Sequence, residues 1–98
     1  MKIRHTETAR REFDDAVDYL IKHAPAVAAD FADSIENAEA ELLRNPYSAQ
    51  ETELRGVRRK YIQRFRYGLF YMVDEKADEL IIMNIRHAAR RWPWEPRG

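Results

Sequence analysis

The hydrophobic residues in the first part of the chain recur with the period of an α-helix. They follow the i, i+3, i+4, i+7, i+8 spacing of an amphipathic helix, and the set is Phe13, Ala16, Val17, Leu20 and Ile21. Thr6 or Thr8 can cap the start of this helix, because a threonine hydroxyl accepts a hydrogen bond from an N–H group of the first turn. The pattern therefore predicts a first helix that ends near His23.

A second helix is predicted to begin at Pro25, because proline lacks the N–H group that would have no acceptor in a first helical turn. Its buried positions have fairly regular helical spacing, at Phe31, Ile35, Ala38 and Leu42. Its outward positions are mostly acidic, at Asp30, Asp33, Glu36 and Glu41. Pro46 disfavours helical dihedrals at Asn45, so the helix should end near Arg44. Two antiparallel helices with an acidic solvent side are expected.

After a predicted loop from Tyr47 to Gly56, the hydrophobic period changes to that of β-strands. Three strands are predicted, from Arg58 to Phe65, from Tyr67 to Asp74 and from Glu79 to His87. The last strand has two alternating sets, of which Ile81, Met83 and Ile85 are the predicted core face, while Leu80, Ile82, Asn84 and Arg86 face outward. Residues Lys2 to His5 suffice only for an edge strand or an extended arm.

The middle strand is apolar on both faces, with Leu69, Tyr71 and Val73 alternating with Phe70 and Met72. A sheet with one face in solvent does not require this pattern. We expect either the tail from Ala88 onward or a partner to cover the second face. The tail contains Trp92-Pro93-Trp94, which cannot continue a regular helix or a central strand. Either a tryptophan packs back on the sheet, or the Arg–Trp cluster is a contact surface.

The order of elements predicts an α+β fold, β-α-α-β-β-β, in which an antiparallel helical hairpin packs on a small antiparallel sheet. The 98 residues form one domain, 1–98, divided into a strand with the acidic hairpin and loop (1–53), a basic β-meander (54–87) and a tail (88–98). The chain has no cysteine and its three histidines lack ligand spacing, so we expect neither a metal nor a cofactor. No apolar run follows Met1, and a cytoplasmic protein without membrane contact is expected.

The zero net charge is a balance between two unlike halves. Residues 1–53 contain 6 Lys/Arg and 12 Asp/Glu, whereas residues 54–98 contain 11 and 5, so the halves carry net charges of −6 and +6. This distribution indicates a cationic face on the sheet half and an anionic partner: a nucleic acid, an enzyme that acts on nucleic acid, or an acidic protein segment.

Several motifs resemble the RelE/ParE superfamily of bacterial type II toxins. In the sheet half they are Gly56-Val57-Arg58, the run from Arg64 to Val73 and the run from Ile85 to Arg91. They match a family pattern in which a strand pair crosses an Arg-aromatic-x-Tyr turn and the last strand ends in His-x-x-Arg. The helical half adds Ala9, Phe13 to Ile21, Pro25-Ala26 and Leu43-Arg44-Asn45-Pro46. The Pro-Ala helix start and the Arg-Arg-Trp-Pro-Trp tail are more similar to the ParE branch.

The resemblance implies a toxin that a cognate antitoxin holds inactive with a C-terminal segment wrapped around it. ParE-like members poison DNA gyrase and have no catalysis of their own, which is the interpretation we favour here. RelE-like members are ribosome-dependent endoribonucleases that cut messenger RNA, and this is the alternative. A third possibility is an inactive member that is retained as a binding module for its antitoxin.

RNA cleavage through the 2′-hydroxyl would need a base, an acid and cations at the phosphorus. If the chain is a nuclease, His87 could act at one end of the reaction and Tyr67 or Tyr71 at the other, and the candidate catalytic residues are His87, Arg64, Arg86 and Tyr71. Ala88 stands where the nuclease branch often has a tyrosine after the histidine. The simpler interpretation of His87 is a strand-end histidine that is hydrogen-bonded near the core, and we predict no catalytic residues.

The expected contacts with partners lie in the basic half. The residues predicted to bind the target, DNA gyrase, are Arg58, Arg64, Arg66, Arg86, Arg90, Arg91, Trp92 and Trp94. Those predicted to bind the antitoxin are Phe70, Tyr71 and Met72. Direct sequence-specific binding of nucleic acid by the chain alone is not expected, because the total charge is neutral.

Overall fold

The computed structural model describes residues 1–89 and contains seven elements within them. In chain order they are β1 (Lys2–His5), α1 (Glu7–His23), α2 (Pro25–Arg44), β2 (Gln50–Glu51), β3 (Arg58–Ile62), β4 (Tyr67–Asp74) and β5 (Glu79–His87). The two helices pack on a five-stranded sheet of order β1-β5-β4-β3-β2. The predicted α+β fold is confirmed.

The sheet differs from the prediction at both edges. β1 pairs with β5 in parallel, from Lys2 opposite Glu79 to His5 opposite Ile82, so the sheet is mixed, whereas an antiparallel sheet was predicted. At the other edge, β2 lies in the segment predicted as a loop and pairs with β3. Two residues are too few for a periodic pattern, which explains why β2 could not be predicted.

The helices match their predicted bounds closely. Thr6 is the N-cap of α1, because its Oγ1 accepts a hydrogen bond of 3.1 Å from the Ala9 N–H group. All four predicted core positions of α2 are buried. The assignment of Ile21 to the buried face of α1 was wrong, since 54% of this residue is exposed. Ile21 lies in the last turn of α1, next to Leu20, which packs against the core in its place.

A β-bulge overturns the predicted faces of β5. In the pairing with β4, Tyr71 lies opposite Ile82 while Phe70 lies opposite Asn84, so that Met83 has no partner. The extra residue reverses the alternation along the strand. On the core face the bulge joins Leu80 and Ile82, which were predicted outside, to Ile85, whose predicted core position is confirmed, whereas Ile81 and Met83 are only half-buried. The outward placement of Asn84 was also wrong, because only 8% of it is exposed.

The turn between β3 and β4 begins earlier than predicted. β3 ends at Ile62 instead of Phe65, and residues 63–66 form a turn. Arg66 closes it with φ of 58°, in the left-handed region that non-glycine residues seldom adopt. The Phe65 ring packs edge-on against Phe31 of α2, with ring centroids 5.4 Å apart. This contact fastens the turn to the helical hairpin.

Candidate functional site

The residues nominated for nuclease chemistry occupy two different places in the fold. Arg86 and His87 stand at the end of β5, and Arg64 lies in the adjacent β3–β4 turn. Tyr71 lies in the middle of β4, opposite Ile82 of β5. The neighbour of His87 is Tyr67, with the rings perpendicular and their centroids 5.3 Å apart. The structure thus groups His87 with Tyr67, not with Tyr71.

Tyr71 is part of the core. Its exposure is 0%, and its hydroxyl donates a hydrogen bond of 2.7 Å to the Pro46 carbonyl. Burial raises the pKa of the Tyr71 hydroxyl above its ordinary value, although the nearby Arg58 guanidinium opposes this shift. A buried phenol that is already donating to the backbone is poorly placed to exchange protons with a substrate.

Both nominated arginines are paired with carboxylates of the helical hairpin. Arg64 Nη2 lies 3.0 Å from Asp30 Oδ2 of α2, and its guanidinium also lies 5.0 Å from the centroid of the Phe65 ring. Arg86 Nε lies 2.7 Å from Glu12 Oε2 of α1. Each arginine therefore meets a substrate phosphate only in competition with a carboxylate.

The hydrogen bonding of His87 determines its tautomer. Its Nδ1 accepts a hydrogen bond of 3.0 Å from the Ala89 backbone N–H group. Because Nδ1 is the acceptor, the neutral ring carries its proton on Nε2. In this arrangement Nε2 can donate a hydrogen bond but cannot take a proton from a substrate hydroxyl. His87 is therefore unsuited to be the general base that RNA cleavage requires.

Arg58 and Arg66, which were predicted to bind the target, occupy unlike environments. Arg58 Nη1 donates to the carbonyls of Ala49 at 2.8 Å and Tyr47 at 3.2 Å, so its guanidinium holds the segment before β2. Arg66 is exposed at the tip of the β3–β4 turn, where its own carbonyl accepts a bond of 2.6 Å from the Ala88 N–H group. The predicted contact residues Arg90, Arg91, Trp92 and Trp94 lie outside the described residues.

The residues that sequence reasoning missed are the acidic partners of the basic strands. Besides Glu12 and Asp30, Glu41 of α2 pairs with Lys60 of β3 at 2.7 Å. The hydrogen bond and charge of Lys60 hold the pKa of Glu41 below its ordinary value. The unequal charge of the two halves was a signal for such pairing, but no local spacing indicates which residues meet. The helix carboxylates thus neutralise part of the expected cationic face.

The outer face of the sheet, which is the face away from the helices, carries the other predicted partner residues. Phe70 is 4% exposed, whereas Met72 is 36% exposed. An open groove of about 520 Å³ runs past Met72 and is lined also by Tyr47 and Ile81. Of the three residues predicted to bind the antitoxin, only Met72 is exposed beside this groove, whereas Phe70 is almost fully buried and Tyr71 lies in the core.

Metal-binding clusters and membrane-spanning helices are both absent from residues 1–89. Within this range, no group of three or more acidic or histidine side chains is arranged to hold a metal ion. None of the helices in the same range is long and apolar enough to cross a membrane.

The fold is similar to those of three solved toxin–antitoxin proteins. The chromosomal ParDE system of P. aeruginosa matches with a TM-score of 0.76 and 21% identity, over 89% of this chain and 95% of that one. The isolated E. coli RelE toxin matches with a TM-score of 0.61 and 15% identity, over 91% and 85%. The RelBE2 complex of Mycobacterium tuberculosis matches with a TM-score of 0.59 and 26% identity, over 88% and 95%.

The comparison by sequence identifies the family. No curated protein matches the chain significantly. The family model described as the ParE toxin of the type II toxin–antitoxin system parDE, however, matches residues 3–92, nearly the whole chain. The shared fold and this match lead to one conclusion: the chain belongs to the ParE toxin family of type II toxin–antitoxin systems.

Proposed function

We propose that this toxin inhibits DNA gyrase by binding it, without catalysis of its own, and that a cognate antitoxin neutralises it in the cytoplasm. The observation that carries the proposal is the engagement of the four residues nominated for RNA cleavage. Tyr71 is buried, Arg64 and Arg86 are paired with carboxylates, and His87 Nδ1 accepts a hydrogen bond from the Ala89 backbone N–H group. The match to the ParE model supports the same choice between the two branches.

The existing contacts of His87 and Arg86 conflict with what phosphodiester cleavage requires of a base and of a cation. A 2′-hydroxyl becomes a nucleophile only when a base removes its proton, and the charge that develops on phosphorus needs unpaired donors. Moving a proton to His87 Nε2 first requires that Nδ1 lose its bond to Ala89, and freeing Arg86 requires breaking its pair with Glu12. A protein that acts by contact needs none of these rearrangements.

The proposed target surface is the end of the sheet that holds the β3–β4 turn. Arg66 is exposed there, and β5 ends beside it and leads into Arg90, Arg91 and the tryptophans. Arginine and tryptophan are enriched among the residues that contribute most to binding at protein interfaces. The antitoxin is proposed to cover the outer face around Met72, where the open groove lies. The two surfaces are on different parts of the sheet.

The target is tested by adding the purified chain to gyrase with plasmid DNA and ATP, and in parallel to a translating extract whose messenger ends are mapped. We expect plasmid trapped in the cleaved state and intact messenger. Cuts positioned by codon in the messenger, with plasmid that stays uncleaved, would refute the proposal.

The target surface is tested with Arg66→Asn, because asparagine tolerates the left-handed backbone of this turn. We expect reduced trapping of cleaved plasmid by Arg66→Asn and by the double variant Arg90→Ala/Arg91→Ala. Arg55→Ala, which removes an exposed arginine from the β2–β3 loop, is the matched control and should trap cleaved plasmid as the wild type does. Equal activity of all three variants would remove this surface from the mechanism.

The antitoxin surface is tested by hydrogen exchange of the toxin with and without its antitoxin. We expect slower exchange in β4 around Met72 and in the neighbouring residues of β5. Protection confined to the outward side of the helices would contradict the proposed site.

A further inference from the structure

Within residues 1–89, three ion pairs join the helical hairpin to the sheet half, and these three follow one rule. In each, the carboxylate comes from the helical hairpin and the cation from the sheet half: Glu12 with Arg86, Asp30 with Arg64, and Glu41 with Lys60. The hairpin therefore does more than support the sheet, because it places negative charge directly against the cations that a phosphate group would seek.

Glu12 makes the most buried of these pairs. Its side chain is 13% exposed and that of Arg86 is 28% exposed, whereas Asp30 and Arg64 are 50% and 64% exposed. Ion pairs at exposed positions are weakened by water and salt, so Asp30 holds Arg64 only loosely. Glu12 holds Arg86 in a position that solvent screens far less.

The carboxylate of Glu12 is held in position by β5 itself. Its Oε1 accepts hydrogen bonds of 3.1 Å from the Ile85 backbone N–H group and from the Asn84 side-chain amide. This contact lies beyond the point where β1 stops pairing with β5, at Ile82. Glu12 Oε1 thus accepts from the edge of β5 that β1 leaves unpaired, while Glu12 Oε2 forms the ion pair with Arg86.

The surroundings of the pair are unfavourable to an anion. A cleft of about 330 Å³ beside Arg86 is lined also by Asp15, Tyr19 and His87. A phosphate that entered it would approach two carboxylates together with one arginine that is already paired. Like charges placed at short range disfavour a wrong ligand and so contribute to specificity.

We propose that Glu12 determines specificity, by masking Arg86 so that the end of β5 accepts a protein surface and rejects the nucleic-acid backbone. This inference rests on the proposed function, because it explains how a basic sheet can act on a nucleic-acid enzyme without holding nucleic acid itself. Glu12 acts through Arg86 and is in this sense a positioning residue.

The test uses Glu12→Gln. The glutamine Oε1 still accepts from Ile85 and Asn84, but its neutral NH₂ group cannot form an ion pair with Arg86, so no negative charge at this position masks the guanidinium. For single-stranded nucleic acid, each added phosphate contact steepens the slope of log K against log salt by about 0.7. One such contact corresponds to an affinity gain of about eightfold at about 50 mM salt and about threefold at about 200 mM salt.

The measurement is the fluorescence anisotropy of a labelled 20-nucleotide oligouridylate, titrated with the full chain at several salt concentrations. Glu36→Gln is the control, because it makes the same change of charge at an exposed position of α2. We expect tighter binding and a steeper slope for Glu12→Gln alone, and the loss of both in Glu12→Gln/Arg86→Gln. Equal gains in Glu12→Gln and Glu36→Gln would show an effect of net charge and would overturn the proposal.

A second measurement does not depend on the folding of Glu12→Gln. Residual RNA binding by the wild type would use only cations that no carboxylate masks, so Arg86→Gln should leave the RNA affinity within about twofold, while loss of the exposed Arg66 in Arg66→Asn should weaken it by about one phosphate contact. Weakening of similar size in both variants would overturn the masking. The gyrase assay of the wild type is a separate readout, so a failure of the masking and a failure of the proposed target can be told apart.

Discussion

The role of Tyr71 can be decided by removing a single oxygen atom. In Tyr71→Phe the ring still fills the core, and what is lost is the hydrogen bond of 2.7 Å from the hydroxyl to the Pro46 carbonyl. A typical intramolecular hydrogen bond contributes about 1 kcal/mol net to the free energy of unfolding. Pro46 is half-buried, so water can replace part of the lost partner. We therefore expect a loss of about 1 kcal/mol.

Urea unfolding measures this loss. With a slope of about 1.5 kcal/mol/M for a domain of this size, the midpoint should fall by about 0.7 M. Tyr19→Phe is the control, because Tyr19 is 62% exposed and its hydroxyl makes no hydrogen bond within residues 1–89. Its midpoint should stay at the wild-type value.

The stability difference between the wild type and Tyr71→Phe should also depend on pH. Burial raises the pKa of Tyr71 in the folded protein, so above about pH 10 the unfolded chain loses this proton first. The stability that the neutral phenol contributes is therefore complete below that pH and is lost as the pH rises. The difference in stability between the wild type and Tyr71→Phe should shrink on going above about pH 10.

Growth arrest is the readout that separates a structural from a catalytic role. Tyr71→Phe should arrest growth as the wild type does at temperatures where it remains folded. A variant of unchanged urea midpoint that no longer arrests growth would refute the reasoning, since the hydroxyl would then act in the toxic mechanism.

Three further outcomes test the packing of the helices on the sheet. Phe31→Ala should lower the free energy of unfolding by about 3–5 kcal/mol in urea, whereas Leu43→Ala, at a 40% exposed position of the same helix, should change it little. Thr6→Ala should cost about 1–2 kcal/mol, because both the cap of α1 and the bond to the Met83 carbonyl are lost, and Thr6→Ser should restore most of it. Lys60 lowers the pKa of Glu41, so this pair stabilises the fold above the ordinary carboxyl pKa of 4.5 and loses its effect as the pH falls. Unfolding curves between about pH 5 and about pH 3 should therefore be less pH-dependent in Glu41→Gln.

The charge pattern shows how far sequence reasoning could go. The opposite charges of the two halves were visible in composition, and they indicated a cationic surface. The structure shows that helix carboxylates pair with several of those cations. Asp30 and Arg64 are 34 positions apart, and no periodic pattern relates residues at that distance. Opposite charges that lie in different halves of the sequence are therefore in contact in the folded protein.

The sequence alone determined the bounds of α1, α2, β4 and β5, the buried face of α2 and the resemblance to the toxin superfamily. These features depend on residues within one or two turns of each other, where the spacing of apolar side chains and the position of proline act directly. Only the tertiary structure decided the parallel pairing of β1, the bulge at Met83, the burial of Tyr71 and the hold of Glu12 on Arg86. Each of these needs elements that are distant in the chain to meet, because a hydrogen bond or an ion pair depends on distances of a few ångströms that local patterns do not encode.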